Sequence, residues 1–218
     1  MHCQGLRQPT TAAVQPWLVW VFRAYGLPAT IRTDNGPPFA SLALGGLSRL
    51  AAWWVRLGIR PERIRPGTPS EHGRHERMHR VLTAAVEPPA ATLAAQQRRF
   101  AAFVEEYNWA RSPEALGRRT PGSVHQPSQR PYPVKLPPIE YPAGTLVRQV
   151  RHNGEVKWRG HRLYLSEVLA HEPVGFTPIG ETTWALHYSF YPLGTLDERT
   201  LTITSARHWH QREHPQAM

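Results

Sequence analysis

Six prolines fall between positions 127 and 142, at 127, 131, 133, 137, 138 and 142, and no other feature restricts the fold as much. Each proline fixes φ and removes a backbone donor, so a stretch this dense favours extended chain over helix or sheet. It therefore predicts a linker over residues 126–142 that divides the 218-residue chain. The two sides read differently, the first alternating helices with short strands and the second consisting of short β-type runs.

In the first part, Val14, Trp17, Leu18, Val21, Phe22 and Tyr25 recur at the spacing of one helical face. Thr10 or Thr11 caps this helix and Gly26 ends it. The β-branched run Thr30, Ile31, Thr33 reads as a strand that stops at Asp34-Asn35-Gly36-Pro37-Pro38, a strong turn signal, which puts Asp34 at the carboxyl end of a strand. A second helix is predicted from about Leu47 to Leu57, with Leu47, Leu50, Ala51, Trp54 and Val55 on one face and Gly58 closing it. Residues 59–64 read as a short strand. Pro66 to Gly73 is rich in breakers, so the next helix is expected to resume at about Arg74, with Glu76 in its first turn and Pro88-Pro89 ending it. Leu93, Phe100, Phe103, Val104 and Tyr107 mark another helix that runs to about Ala110.

Beyond the linker, the runs 146–147, 156–158, 163–165, 174–176, 184–188 and 201–203 are separated by Gly, Asn, Asp or Pro, which predicts a small β-barrel or sandwich over 143–207 and a tail over 208–218. Trp17, Trp53, Trp54, Trp109, Trp158 and Trp184 fall at helix or strand spacing and are assigned to packing rather than to base stacking.

Charge bears on the partner. The formal net charge is +10, and of the 26 basic residues only Lys135 and Lys157 are lysines. Arginine forks suit phosphate and guanine, so nucleic acid is the expected partner. Arg56, Arg60, Arg63, Arg65, Arg74, Arg77 and Arg80 cluster in sequence around Glu76. The single cysteine, Cys3, excludes an intramolecular disulfide framework. Met1 to Thr11 lacks the pattern of a signal peptide, and Trp17 to Phe22 is too short to span a bilayer, so a cytoplasmic protein without a membrane is expected.

Two candidate chemistries involve Glu76. A carboxylate at a strand end and another near a helix start, here Asp34 and Glu76, are what metal-dependent phosphoryl transfer uses, because Mg²⁺ takes hard carboxylate oxygens. Spacing alone does not select this pair, and on spacing alone Asp34 reads more readily as a turn-forming Asx before Asn-Gly. The string His75-Glu76-Arg77-Met78-His79 also fits His-Glu-x-x-His, in which two histidines bind zinc and the glutamate acts as general base. A zinc protease would need a third ligand, for which Glu105 or Glu106 is available.

The ordered strings decide between them. Tyr25-Gly-Leu-Pro28 and Ile31-Arg-Thr-Asp-Asn-Gly-Pro-Pro-Phe-Ala-Ser41 resemble the second catalytic stretch of integrase-like DDE transposases from bacterial insertion sequences. Leu57-Gly-Ile-Arg-Pro-Glu-Arg-Ile-Arg-Pro-Gly-Thr-Pro69 and Gly73-Arg-His-Glu-Arg-Met-His-Arg-Val-Leu82 resemble the approach to, and the helix bearing, the catalytic glutamate. Tyr107-Asn108, Glu114-Ala-Leu-Gly117 and Thr120-Pro121 are similar to the end of that core. The resemblance covers residues 1–125. Asn153-Gly154, Trp158-Arg-Gly160, Val174-Gly175 and Leu193-Gly-Thr-Leu-Asp197 are similar to the small SH3-like β-domain of some relatives.

The resemblance implies an α/β fold: a partial RNase H-like integrase core lacking its first strands, followed by an SH3-like domain. It implies DNA as partner, both transposon ends and target, with Mg²⁺ or Mn²⁺ as cofactor, and a homo-oligomer or a full-length transposase as further partner. It places the second catalytic and metal-binding acid at Asp34 and the third at Glu76; the basic cluster itself, apart from the resemblance, points Arg63, Arg65, Arg74, Arg77 and Arg80 toward DNA. No residue of Met1 to Pro9 is acidic, so the first acid has no counterpart, and the expectation is an N-terminally truncated portion that is inactive alone or a non-catalytic nucleic-acid-binding remnant. Three departures from the family pattern agree with that expectation: Glu71-His72-Gly73 where Asp-Asn-Gly or Asn-Gly is common, Arg111-Ser112-Pro113 where Arg-Pro-His is common, and Thr83 in place of a lysine.

Overall fold

The computed structural model describes residues 1–63, 69–111 and 113–206, without the side chains of residues 69–77 and 115. The chain divides into two compact units, one formed by Met1–Leu27 with Ile64–Pro131 and the other by Pro28–Arg63 with Tyr132–Met218. Among the described residues no helix is long and apolar enough to cross a membrane.

The first unit is helical, with α1 (Thr11–Tyr25), α3 (Pro69–Val86), α4 (Leu93–Trp109) and the short α5 (Pro121–Val124). Helix α1 begins where the Thr10 side chain accepts from the Ala13 amide and ends at Gly26, whose φ of 76° is a left-handed turn. A side chain at Gly26 would run into the Ser128 carbonyl. Its buried stripe is Val14, Leu18 and Phe22, narrower than the sequence pattern, and Tyr25 is 40% exposed. Thr92 caps α4 by accepting from Ala95. Two amide side chains on α4 hold the N-terminal segment. Gln97 accepts from the Gly5 amide and donates to the Cys3 carbonyl, while Asn108 pairs with the amine and carbonyl of Met1.

One expectation is corrected in this unit. Helix α3 starts at Pro69, not near Arg74, so Glu76 is the eighth helical residue rather than a first-turn one. Proline suits a first helical position, because its missing N–H has no intrahelical partner there anyway. The breaker reading of Pro69 therefore took a start signal for a stop. Trp109, assigned to packing, does pack over α5, where a Cβ at Gly122 would lie 2.7 Å from its ring, while its outer side leaves it 58% exposed.

The second unit contains β1 (Thr30–Thr33), α2 (Arg49–Arg56), β2 (Arg60–Arg63) and the strands β3 (Leu146–Gln149), β4 (Glu155–Trp158), β5 (His161–Tyr164), β6 (Pro173–Pro178), β7 (Thr183–Tyr188), β8 (Tyr191–Asp197) and β9 (Thr202–Ser205). Strands β1 and β2 pair in parallel, Thr30 against Arg60 through Thr33 against Arg63. Between them α2 is capped by Ser48 and closed by a Schellman turn, in which Gly58 donates to Val55 and Ile59 to Trp54. Leu50, Trp54, Val55 and Ile59 are each 1% exposed or less, so this short helix is buried nearly all round.

The later strands form a five-stranded antiparallel sheet in the order β3-β6-β7-β8-β9, and β4 and β5 form a separate hairpin. Trp158, Phe176, Leu169, Leu186, Tyr188, Leu193 and Leu196 are fully buried. Burying side chains of this size contributes about 1.5–3 kcal/mol each. Strand β8 is absent from the sequence reading because Pro192 and Gly194 weaken its pattern. Pro192 faces His187 where the register shifts, a bulge position that spares the ladder a missing donor. Gly194 has φ 153°, and a Cβ there would collide with the Thr204 carbonyl.

Candidate functional site

Asp34 immediately follows β1 and is exposed. Its Oδ1 accepts from the Gly36 amide at 3.0 Å, so the carboxylate is held in an Asx turn. The Gly36 carbonyl accepts from Phe39 and Ala40, each at 3.1 Å. Further along, Ala40 bridges Leu47, Ser48 Oγ donates to the Phe39 carbonyl at 2.9 Å, and the Phe39 ring stacks on Trp54 at 6.1 Å. The loop from Asp34 to Ser48 is thus tied into α2 at its far end.

The same loop is fastened to strands distant in sequence. Around the 3-10 turn Leu44–Gly46, the Gly45 amide donates to Ser205 Oγ at 3.1 Å and its carbonyl accepts from Tyr191 Oη at 2.9 Å. Gly45 has φ 65°, and a Cβ there would lie 3.2 Å from Leu193 Cα. Burial raises the Tyr191 phenol above its ordinary value, with the Arg63 guanidinium opposing, so the hydroxyl stays protonated as a donor. None of these contacts has a motif. The only sequence signal was the Gly45-Gly46 pair.

Glu76 belongs to α3, in the helical unit, whereas Asp34 belongs to the other. The side chains of Arg74, His75, Glu76 and Arg77 and all of Arg65 lie outside the described residues. Arg80 is exposed on α3. Arg63 donates to the Gly46 carbonyl, which places this guanidinium on the Asp34 loop. Arg56 pairs with Glu172 at 3.1 Å and donates to the Pro137 carbonyl at 3.0 Å. Glu172 is also a hydrogen-bond partner of Tyr188, whose phenol is driven far up by burial first and by Glu172 next. Of the proposed zinc ligands, His79 is exposed on α3, and Glu106 pairs with Arg111 at 3.3 Å. Among the described residues no three His, Cys, Asp or Glu side chains converge as a metal cluster. The donor chemistry of Asp34, an exposed carboxylate with its plane set by Gly36, fits a hard divalent cation.

The family comparison falls on the stretch that carries Glu76. Residues 57–121 match the integrase core domain family. Among solved structures, the chain is similar to a simian T-cell lymphotropic virus intasome in complex with PP2A regulatory subunit B56 gamma, with TM-score 0.44 and 17% identity over 86% of this chain. It spans 65% of the length of that chain. It is also similar to the catalytic core domain of BIV integrase, with TM-score 0.41 and 24% identity over 56% of this chain and 74% of that one. Over residues 57–121, then, the chain is similar to the integrase core domain family.

Proposed function

We propose that this chain serves DNA integration and transposition as a DDE transposase or integrase, acting by metal-dependent phosphoryl transfer. The observation that carries the reading is the integrase core match over residues 57–121, which spans helix α3 and Glu76. In this reading α1 to α4 with β1 and β2 belong to an RNase H-like core, and β3 to β9 to an SH3-like domain. Asp34 and Glu76 are the catalytic acids and would hold Mg²⁺ or Mn²⁺, whose charge stabilises the attacking and leaving oxygens of a phosphodiester when bound. Asp34 supplies a carboxylate at the end of a parallel strand, held by the Gly36 amide. Arg63, Arg65, Arg74, Arg77 and Arg80 contact DNA phosphates at transposon ends and target, and the protein works in the cytoplasm, away from membranes, with other copies of itself.

Asp34 and Glu76 match two of the three acids in the family pattern, and two carboxylates hold a divalent ion more weakly than three. The isolated 218-residue chain is therefore expected to bind DNA without joining its ends. The test combines a salt titration of duplex binding with a strand-transfer assay in Mg²⁺ and Mn²⁺. A log K that falls linearly with log[salt] supports the phosphate contacts, and a flat one removes them. Robust end joining that Asp34→Asn abolishes would confirm the acid and overturn the expected inactivity. A non-catalytic DNA-binding role is favoured if joining stays at background and Asp34→Asn leaves metal binding unchanged.

A further inference from the structure

We propose that Tyr191 and Ser205, in strands β8 and β9, are positioning residues for the metal-binding carboxylate of Asp34. This rests on the reading of Asp34 given above. Neither residue touches Asp34. They act through Gly45, a loop residue whose amide and carbonyl are both held by side chains from those strands, at 3.1 Å by Ser205 Oγ and 2.9 Å by Tyr191 Oη.

From Gly45 the contacts run back to the carboxylate without a gap. The Gly46 carbonyl accepts from the Ser41 amide at 3.4 Å and from Arg63, and Ser41 Oγ donates to the Leu47 carbonyl at 2.6 Å. Leu47 bridges Ala40, Ala40 donates to Gly36, and the Gly36 amide donates to Asp34 Oδ1. Pro38, the Phe39 ring on Trp54 and the buried Leu47 anchor the loop on either side, but Leu42 at its tip is 90% exposed, so the stretch between them is held by these polar fastenings. A loop held only at β1 and α2 would let the Asx turn exchange with other conformers. Fastening Gly45 to the sheet reduces that freedom and leaves the carboxylate preorganised for a cation. The later β-strands thus support a candidate catalytic acid more than a hundred residues earlier in the chain.

The test uses the whole ¹⁵N-labelled chain and Mn²⁺ alone as probe, read as paramagnetic broadening of the Gly36 amide. In the wild type Mn²⁺ broadens this signal, and Asp34→Asn abolishes the effect. The Tyr191→Phe/Ser205→Ala variant is expected to need about threefold to tenfold more Mn²⁺ for the same broadening, as follows from releasing one or two ordinary hydrogen bonds. Its Gly45 and Gly46 amides should exchange faster with solvent, while Leu186 and Leu196, inside β7 and β8, keep their protection. Ser205→Thr, which retains the hydroxyl, should restore wild-type behaviour at that contact. If the double variant loses protection at Leu186 and Leu196, Tyr191→Phe alone decides, since it removes one oxygen and keeps the ring. Broadening at the wild-type Mn²⁺ concentration in a folded variant would overturn the positioning role while the Asp34 reading stands. No Asp34-dependent broadening in the wild type would overturn both.

Discussion

Glu172→Ala is the most informative single perturbation of the fold. Glu172 accepts from Arg56 at 3.1 and 3.3 Å and is also the partner of the Tyr188 hydroxyl, so one deletion removes the ion partner of a guanidinium, which keeps only the Pro137 carbonyl, and the partner of a buried phenol. At 3.1 Å the gross attraction of the ion pair is about 5 kcal/mol for an effective dielectric of about 20. The net worth is smaller, because the side chains are 24% and 21% exposed and water screens part of the pair. Breaking a fully buried pair costs about 3–5 kcal/mol and an exposed one about 0–1, so this mostly buried pair falls at about 2–3 kcal/mol. The assay is urea unfolding followed by tryptophan emission, with Arg56→Met, Glu172→Ala and the double variant closing a cycle. Glu172→Gln, which keeps a neutral acceptor, should recover about half of the loss. A loss below about 0.5 kcal/mol for Glu172→Ala, or a coupling energy within about 0.3 kcal/mol of zero, would refute the assignment of this pair as the tie between α2 and the later strands.

Three other expectations follow from single sites. Gly194→Ala puts a Cβ against the Thr204 carbonyl at φ 153°, and should lower stability by about 3 kcal/mol or more in the same urea assay; a change under about 1 would mean that the β8–β9 pairing opens easily. Thr92→Ala removes the N-cap of α4 and should cost about 1 kcal/mol, with the loss confined by hydrogen exchange to the helical unit. Burial lowers the His187 pKa below the ordinary 6.5, so the fold prefers the neutral ring. Above 6.5 both states are neutral; as pH falls through 6.5 the unfolded chain takes the proton first, and stability drops until the lower folded value is passed. Comparing urea midpoints at about pH 7.5 and about pH 5.5, His187→Gln should flatten that drop, and an unchanged slope would sink the assignment.

Local signals carried much of the secondary structure. Thr10 and Gly26 bound α1, Gly58 closes α2, and Thr33 hands over to Asp34 at the end of β1, because caps and turns are decided by residues within a few positions of one another. The misreadings have physical causes of the same kind. Pro69 and Gly73 looked like breakers, yet proline starts helices and one glycine inside α3 costs only about 1 kcal/mol. Pro192 and Gly194 looked unlike a strand, yet one sits at a bulge and the other where two backbones meet.

The fastening of the Asp34 loop was illegible for a different reason. Gly45 is held through its own amide and carbonyl, groups every residue has, and its partners Tyr191 and Ser205 stand 146 and 160 positions away. No periodicity or composition marks such a contact. The family pattern around Asp34 could name the acid from its neighbours in sequence, but what keeps that acid in place comes from strands whose own pattern reads only as a small β-domain. Residues 28–63 therefore fold with residues 132–206, and a boundary drawn only at the prolines separates Asp34 from the strands that hold its loop. Truncation at the proline stretch is expected to leave β1 and α2 without the Arg56–Glu172 and Gly45 ties, so a fragment ending there should show faster exchange at Gly36 than the whole chain. Equal exchange in the fragment would mean that α2 and the Asx turn suffice to hold the carboxylate.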